Sequence, residues 1–225
     1  MLYVCATPIG NLGDVSERLK DTLCQCEYVI CEDSRRASKL LSSMGISGKK
    51  IIVNNEFNEK KALPGIARVI AETDAVLITD AGMPGISDPG FIVLREAIRK
   101  GIEFSVVPGP SAVLTSIVAS GFPCERFCFE GFLPKTKAKR IKALRKLDKE
   151  KTTVFFESPY RIRKALVDMA DAIPERQVAL CRELTKRFEE VIRGMPKGII
   201  EQIDSKKQPL KGEISLVIAP EGFSF

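Results

Sequence analysis

Thr79-Asp80-Ala81-Gly82-Met83-Pro84-Gly85-Ile86-Ser87-Asp88-Pro89-Gly90 joins an apolar run at 75–78 to a helical pattern at 91–100, with Asp80 and Asp88 as its only charges. Glycines that accept positive φ, or let the main chain approach another group, belong where a loop at the carboxyl end of a strand cradles a ligand. The other reading is an elaborate strand-to-helix connection, a task that a much shorter turn would perform. A second constellation, Glu32-Asp33-Ser34-Arg35-Arg36, stands at the end of the short apolar run 28–31. Strand ends are where α/β proteins keep their chemistry, although Asp33 ahead of a helix suits an N-cap equally well. The chain contains no histidine. A histidine base, a histidine-ligated metal and a Ser-His-Asp triad are thereby excluded, leaving carboxylates, lysine, tyrosine or positioning alone. There is no Gly-x-Gly-x-x-Gly after a strand and no Walker Gly-Lys-Ser/Thr, which argues against an ordinary dinucleotide fold or a P-loop NTPase.

The elements that must hold these groups alternate regularly. Strands are expected at 2–6, 28–31, 51–53, 75–79 and 104–107, with helices at 16–26, 34–44, 58–72 and 91–100, Pro64 having to lie in the first turn of the third helix or break it. Such alternation implies a mainly parallel sheet. Thr7-Pro8-Ile9-Gly10, the stretch 80–90 and Pro108-Gly109-Pro110-Ser111-Ala112 all follow strands of that sheet, so they are expected at one edge as a pocket lined by backbone. The last of these loops breaks the alternation, which places a domain junction there and divides the chain into 1–110 and 111–225. A second set of similar kind follows, with strands at 127–129, 152–156, 178–181 and 214–219, a segment at 188–193, and helices at 113–120, 137–147, 160–172 and 197–203. No internal sequence repeat accompanies it.

The composition, 44% hydrophobic and 28% charged over 225 residues, is that of a soluble protein able to bury one large core or two smaller ones. Apolar runs fall well short of the roughly 20 residues that cross a bilayer. Seven cysteines in an unpaired set, mostly within apolar runs and without metal-ligand spacing, fit reduced core residues of a cytoplasmic protein. The net charge of +6 is concentrated at 135–151, where nine lysines and arginines face only Asp148 and Glu150. That segment suits a polyanion, and it suits a solvated helix face equally, because Ala138, Ile141, Leu144 and Leu147 give it an apolar stripe.

Eight ordered motifs carry a resemblance across essentially the whole chain: Thr7-Pro8-Ile9-Gly10-Asn11-Leu12, Glu32-Asp33-Ser34-Arg35, Ser87-Asp88-Pro89-Gly90, Pro108-Gly109-Pro110-Ser111-Ala112, Phe129-Glu130-Gly131-Phe132-Leu133-Pro134, Glu157-Ser158-Pro159-Tyr160-Arg161, Arg182-Glu183-Leu184-Thr185-Lys186 and Lys211-Gly212-Glu213. In order and spacing the chain resembles the bacterial small-subunit (16S) ribosomal RNA cytidine 2′-O-methyltransferases of the tetrapyrrole methylase superfamily. The resemblance implies two α/β domains with a cofactor cleft between them, S-adenosylmethionine as cofactor, ribosomal RNA as substrate, in the assembled small subunit, and a homodimer with no metal. Carried over by motif, Pro8, Asp80, Ala81, Gly82, Met83 and Ile86 approach the cofactor from the first domain, Ser111 and Ala112 lie at the junction, and Phe156, Glu157 and Leu184 face the cofactor from the second. Taken alone, Phe156 and Leu184 read as core residues.

The sequence departs from the family pattern at Arg36 and Tyr160, where histidine is common. Neither histidine is then required for the chemistry. A sulfonium methyl is intrinsically reactive, so the protein has to place the ribose oxygen in line and remove its proton. Glu32, Asp33, Arg35, Glu157 and Lys186 are the candidate catalytic groups, and Arg35, Arg36, Lys135, Lys137, Lys139, Arg140 and Arg161 the candidate RNA contacts. Two rival readings are a methyltransferase acting on a polycarboxylate tetrapyrrole and a non-catalytic RNA-binding module on the same fold. Glu-Asp-Ser-Arg and Arg-Glu-Leu-Thr-Lys favour the RNA branch over the first, and binding of S-adenosylmethionine discriminates against the second.

Overall fold

Short apolar runs become five strands in the first half of the computed structural model, which describes residues 1–206 and 208–225. They are β1 (Leu2–Cys5), β2 (Tyr28–Cys31), β3 (Lys50–Val53), β4 (Ala75–Leu77) and β5 (Phe104–Val107), in the order β3-β2-β4-β1-β5 and all parallel. A parallel sheet is covered on both faces, which explains why the central strands read as continuous apolar runs and not as alternating ones. Leu19 and Leu23 of α1 (Glu17–Gln25) and Ala37 and Leu41 of α2 (Ser34–Ser43) pack with Val29, Cys31, Val76 and Ile78 on one face. Ile66 and Ile70 of α3 (Glu59–Glu72) and Val93 and Ala97 of α4 (Phe91–Arg99) pack with Val4, Ile30 and Leu77 on the other. These residues form one compact unit, Met1–Ser111.

Pro64 neither opens α3 nor breaks it, contrary to the sequence-based expectation; it sits inside the helix. The ring removes one N–H and leaves the Lys60 carbonyl without its helical donor, but Lys60 and Pro64 are both exposed, so water can serve that oxygen.

The second unit, Ala112–Phe225, holds β6 (Phe127–Phe132), β7 (Thr152–Glu157), β8 (Val178–Arg182), β9 (Glu190–Gly194) and β10 (Ile214–Ile218) in the order β6-β7-β10-β8-β9. The expected likeness to the first half ends at topology, because only β6 and β7 are parallel and the other three pairings are antiparallel. The connection from β8 to β9 carries no helix and is too short for the crossover that parallel strands need. Here α6 (Lys137–Leu144), α7 (Ile162–Ala172) and α8 (Pro196–Asp204) cover one face through Leu144, Leu166, Met169 and Ile199. The other face is covered by Val113 and Ile117 of α5 (Ala112–Ser120). All seven cysteines are free, and among the described residues no helix is long and apolar enough to cross a membrane.

Candidate active site

Because every strand of the first sheet runs the same way, the loops after β1, β2, β4 and β5 leave from one edge. Two of them are tied together by Asp80. Its Oδ1 accepts the main-chain N–H of Asp33 at 3.2 Å, and its Oδ2 lies 3.2 Å from Nε of Arg36. Asp33 is the N-cap of α2, accepting the Arg35 N–H at 2.8 Å, and its carboxylate is also gripped by the Arg35 guanidinium at 2.6–3.2 Å. Those hydrogen bonds hold its pKa well below the ordinary carboxylate range, so Asp33 is a poor proton acceptor. Glu32 is the opposite case. Burial raises its pKa, and the neighbouring Asp80 charge raises it further; Asp80 is itself raised by burial.

The loops after β1, β4 and β5 meet through main chain. Thr7 and Gly82 form an isolated antiparallel bridge, N–H to carbonyl in both directions at 2.9 and 3.1 Å, and the Thr7 hydroxyl donates to the Thr79 carbonyl at 3.1 Å. Gly82 has φ +83°, a conformation that other residues hold only under strain, and a side chain on Gly109 would begin 3.0 Å from the Cβ of Ala6. Around this bridge lie Pro8, Ala81, Met83 and the exposed Ile86. The Thr79 hydroxyl and both polar atoms of the Asn54 side chain are buried without a hydrogen-bond partner. Close-packed main chain with small or apolar side chains and spare buried polar atoms fits an uncharged, partly polar group such as an adenosyl moiety. Ser111 ends the first unit and Ala112 begins the second.

In the second unit, Glu157 ends β7 and is 2% exposed. Its carboxylate is fully engaged: Oε1 accepts from the Ser158 N–H at 2.6 Å and Arg161 Nε at 2.7 Å, and Oε2 accepts from the Arg161 guanidinium at 2.9 Å. Phe156 beside it packs against the tilted ring of Phe129 and edge-to-face against Phe132. The loop after β8 is strained around the buried Leu184, since Glu183 and Thr185 both have positive φ and the Thr185 hydroxyl is buried without a partner. Lys186 follows, donating to Glu183 at 2.8 Å and Glu213 at 2.9 Å. Burial works against its charge, but the two carboxylates outweigh that and hold its pKa above the ordinary value, so it stays an ammonium.

The basic segment divides. Lys135, Lys137 and Lys139 are exposed, whereas Arg140 is 5% exposed. Its guanidinium donates to Asp168 at 2.7 Å and to the Pro134 carbonyl at 2.9 Å, so it faces inward and does not join the surface lysines. Arg161 is likewise committed to Glu157 and to the Leu133 carbonyl. Tyr160 is 93% exposed.

Residues 1–197 match the family of Tetrapyrrole (Corrin/Porphyrin) Methylases. The chain is 42% identical over 220 residues to the "Ribosomal RNA small subunit methyltransferase I" of Thermotoga maritima, covering 97% of each, and 40% identical over 221 residues to that of Vibrio cholerae, covering 97% of this chain and 76% of the relative. The chain belongs to the tetrapyrrole methylase family. The methyl donor of the family is S-adenosylmethionine. The methylase shares its fold with a methyltransferase CobJ (TM-score 0.70, 16% identity, 97% of this chain and 93% of that one) and with a uroporphyrin-III-C-methyltransferase from Thermus thermophilus (TM-score 0.67, 17% identity, the same coverage).

Some site features had no local signal. The methylase binds the Gly90 N–H with Glu59, 31 residues away, at 3.1 Å, and the role of Asp80 as a tie between two loops rests on partners distant in sequence. Asn54 carries a weaker sign, being a polar residue directly after an apolar strand.

Proposed function

We propose that the methylase transfers a methyl group to the ribose 2′-oxygen of a cytidine in small-subunit (16S) ribosomal RNA, with Glu32 as the proton acceptor. The substrate class is supported by relatives named as ribosomal RNA small subunit methyltransferases, and the assignment to Glu32 by its raised pKa beside Asp80 at the sheet edge. A base works best when its pKa lies near the working pH, which favours Glu32 over the Arg35-bound Asp33 and over the protonated Lys186. S-adenosylmethionine supplies an electrophilic methyl on a cationic sulfur. Pro8, Asp80, Ala81, Gly82, Met83, Ile86 and Ser111 of the first unit, and Ala112, Phe156, Glu157 and Leu184 of the second, are the residues assigned to it. Glu157 is held by Arg161 and the Ser158 N–H, and Lys186 by Glu183 and Glu213, so both are assigned positioning and charge balance. Arg35, Arg36, Lys135, Lys137 and Lys139 carry the RNA backbone, and Arg140 and Arg161 stay in the protein framework. The first unit is assigned RNA and cofactor binding, the second cofactor and dimer contacts together with the RNA contacts of Lys135, Lys137 and Lys139, and the working form is a cytoplasmic homodimer acting on the assembled small subunit.

The test is to incubate the protein and its Glu32→Gln variant with small subunits from a strain lacking the modification and to analyse nucleosides by mass spectrometry. The expected product is 2′-O-methylcytidine from the wild type alone; a methyl on a base nitrogen would refute the acceptor assignment.

A further inference from the structure

Phe57 is 91% exposed, in the turn between β3 and α3. Single exposed apolar residues are ordinary on protein surfaces, so exposure alone says little. What sets this one apart is how firmly it is presented and beside what. Asn55 Oδ1 accepts the N–H groups of Phe57 and Asn58, both at 3.1 Å, while Asn58 Oδ1 accepts the Asn55 N–H at 2.8 Å and Asn58 Nδ2 donates to the Val53 carbonyl at 3.0 Å. The turn is thus braced from both sides and anchored to the end of β3. The N–H of Asn54 donates to the Cys31 carbonyl at 2.8 Å, which seats the root of this turn next to the root of the Glu32–Arg36 loop, on the same sheet edge. Exposed cations flank it on both sides: Arg35 and Arg36, which pair with the half-buried Asp33 and Asp80, and Lys39 from the neighbouring loop and helix, and Lys60 and Lys61 from the first turn of α3; Glu56 beside Phe57 is an exposed acid among them.

We infer that Phe57 is a stacking platform for an unpaired base of the substrate RNA next to the methylated nucleotide, with the surrounding cations holding the phosphates on either side. The inference rests on the RNA reading above. A flat aromatic face set among cations is how proteins grip single-stranded nucleic acid, because every base offers a π-face and every linkage a negative charge. A rigid turn makes the platform effective, since little conformational freedom is lost when the base arrives. The exposed charges around Phe57 are mostly cationic, which suits a polyanion better than a second copy of this chain, itself of net charge +6.

The chain has no tryptophan, so Phe57→Trp introduces a single fluorescent reporter at this position. Small-subunit ribosomal RNA lacking the modification, assembled in its subunit, is the probe. Expected results are that Phe57→Ala binds this RNA about 5- to 150-fold more weakly, the range of one lost base stack, with S-adenosylmethionine affinity and melting temperature unchanged. Phe57→Trp should bind as the wild type and lose fluorescence as it does so. If wild-type protein binds the RNA and Phe57→Ala binds equally well, or Phe57→Trp binds without quenching, stacking is refuted while the RNA reading stands. If the wild type neither binds nor methylates the RNA, the RNA reading fails and the platform falls with it. Loss of a dimer in Phe57→Ala, seen by sedimentation with RNA affinity intact, would mark the residue as a contact between copies and also overturn the proposal.

Discussion

The carboxylate of Asp80 lies 3.2 Å from the main-chain nitrogen of Asp33, a hydrogen bond spanning 47 residues that joins the loop after β4 to the loop after β2. The same carboxylate holds Arg36 at 3.2 Å, so one side chain sets the distance between the glycine-rich loop and the acidic strand end. Asp80→Ala is expected to cost about 1–3 kcal/mol in urea unfolding, because a part-buried N–H loses its acceptor. Single-turnover methylation should fall at least about tenfold by misplacement of reacting groups. Asp80→Asn keeps an acceptor for the N–H and should lie between the two.

Glu32 gives the molecule a pH signature. Its folded-state pKa is raised, so its charge is tolerated less well in the folded chain than in the unfolded one. The resulting destabilisation is absent below the unfolded carboxylate pKa, grows as pH rises through the interval between the two values, and is complete above the folded one. Glu32→Gln should therefore be more stable than wild type at neutral pH and show no such advantage in acid, by thermal melts across pH. The wild-type methylation rate should rise with pH as Glu32 ionises, and that limb should vanish with most of the activity in Glu32→Gln; an unchanged rate would remove Glu32 from the base role.

Gly82→Val forces a β-branched residue into φ +83°. No collision drives the effect, since the nearest atom to an added Cβ is Ile9 Cγ2 at an ordinary 3.6 Å. The strain, about 1–3 kcal/mol, is instead relieved by opening the bridge to Thr7. Calorimetry should show S-adenosylmethionine affinity down by at least about tenfold in a folded variant, and unchanged affinity would take this loop out of the cofactor site.

Arg161 tests whether a basic residue in the Glu157–Arg161 motif serves substrate or scaffold. Arg161→Ala strands the buried Glu157 carboxylate and should destabilise by about 3–5 kcal/mol, while Glu157→Gln with Arg161 kept should cost less. Salt dependence of RNA binding should be unaffected.

The surface lysines are expected to behave in the reverse way. Lys135, Lys139 and Lys142 are exposed, and among the described residues they make no ion pair. Their replacement by alanine should leave melting within about 0.5 kcal/mol of wild type and flatten the salt dependence of RNA binding by roughly one unit of slope per lost phosphate contact. A slope identical to wild type would make this face merely solvated.

Local pattern alone determined most of the elements, because apolar runs ended by Pro, Gly and acidic residues define strands and loops within a few residues of themselves. The run Tyr28-Val29-Ile30-Cys31 is a strand and Asp33 caps the helix after it, as those residue types require. The motif Thr79–Gly90 was equally plain as a shaped loop, since glycines at positive φ announce themselves by identity. Partners were another matter. That Asp80 would reach Asp33 and Arg36, that Glu32 would be pushed up while Asp33 is held down, and that Arg140 would turn inward to Asp168 depend on which strands and helices become neighbours. The antiparallel character of the second sheet was hidden for the same reason. Strand order is set by which apolar faces can be buried together across the whole chain, and proton affinity by the charges and solvent that this burial brings near; neither is encoded in a residue's own neighbours.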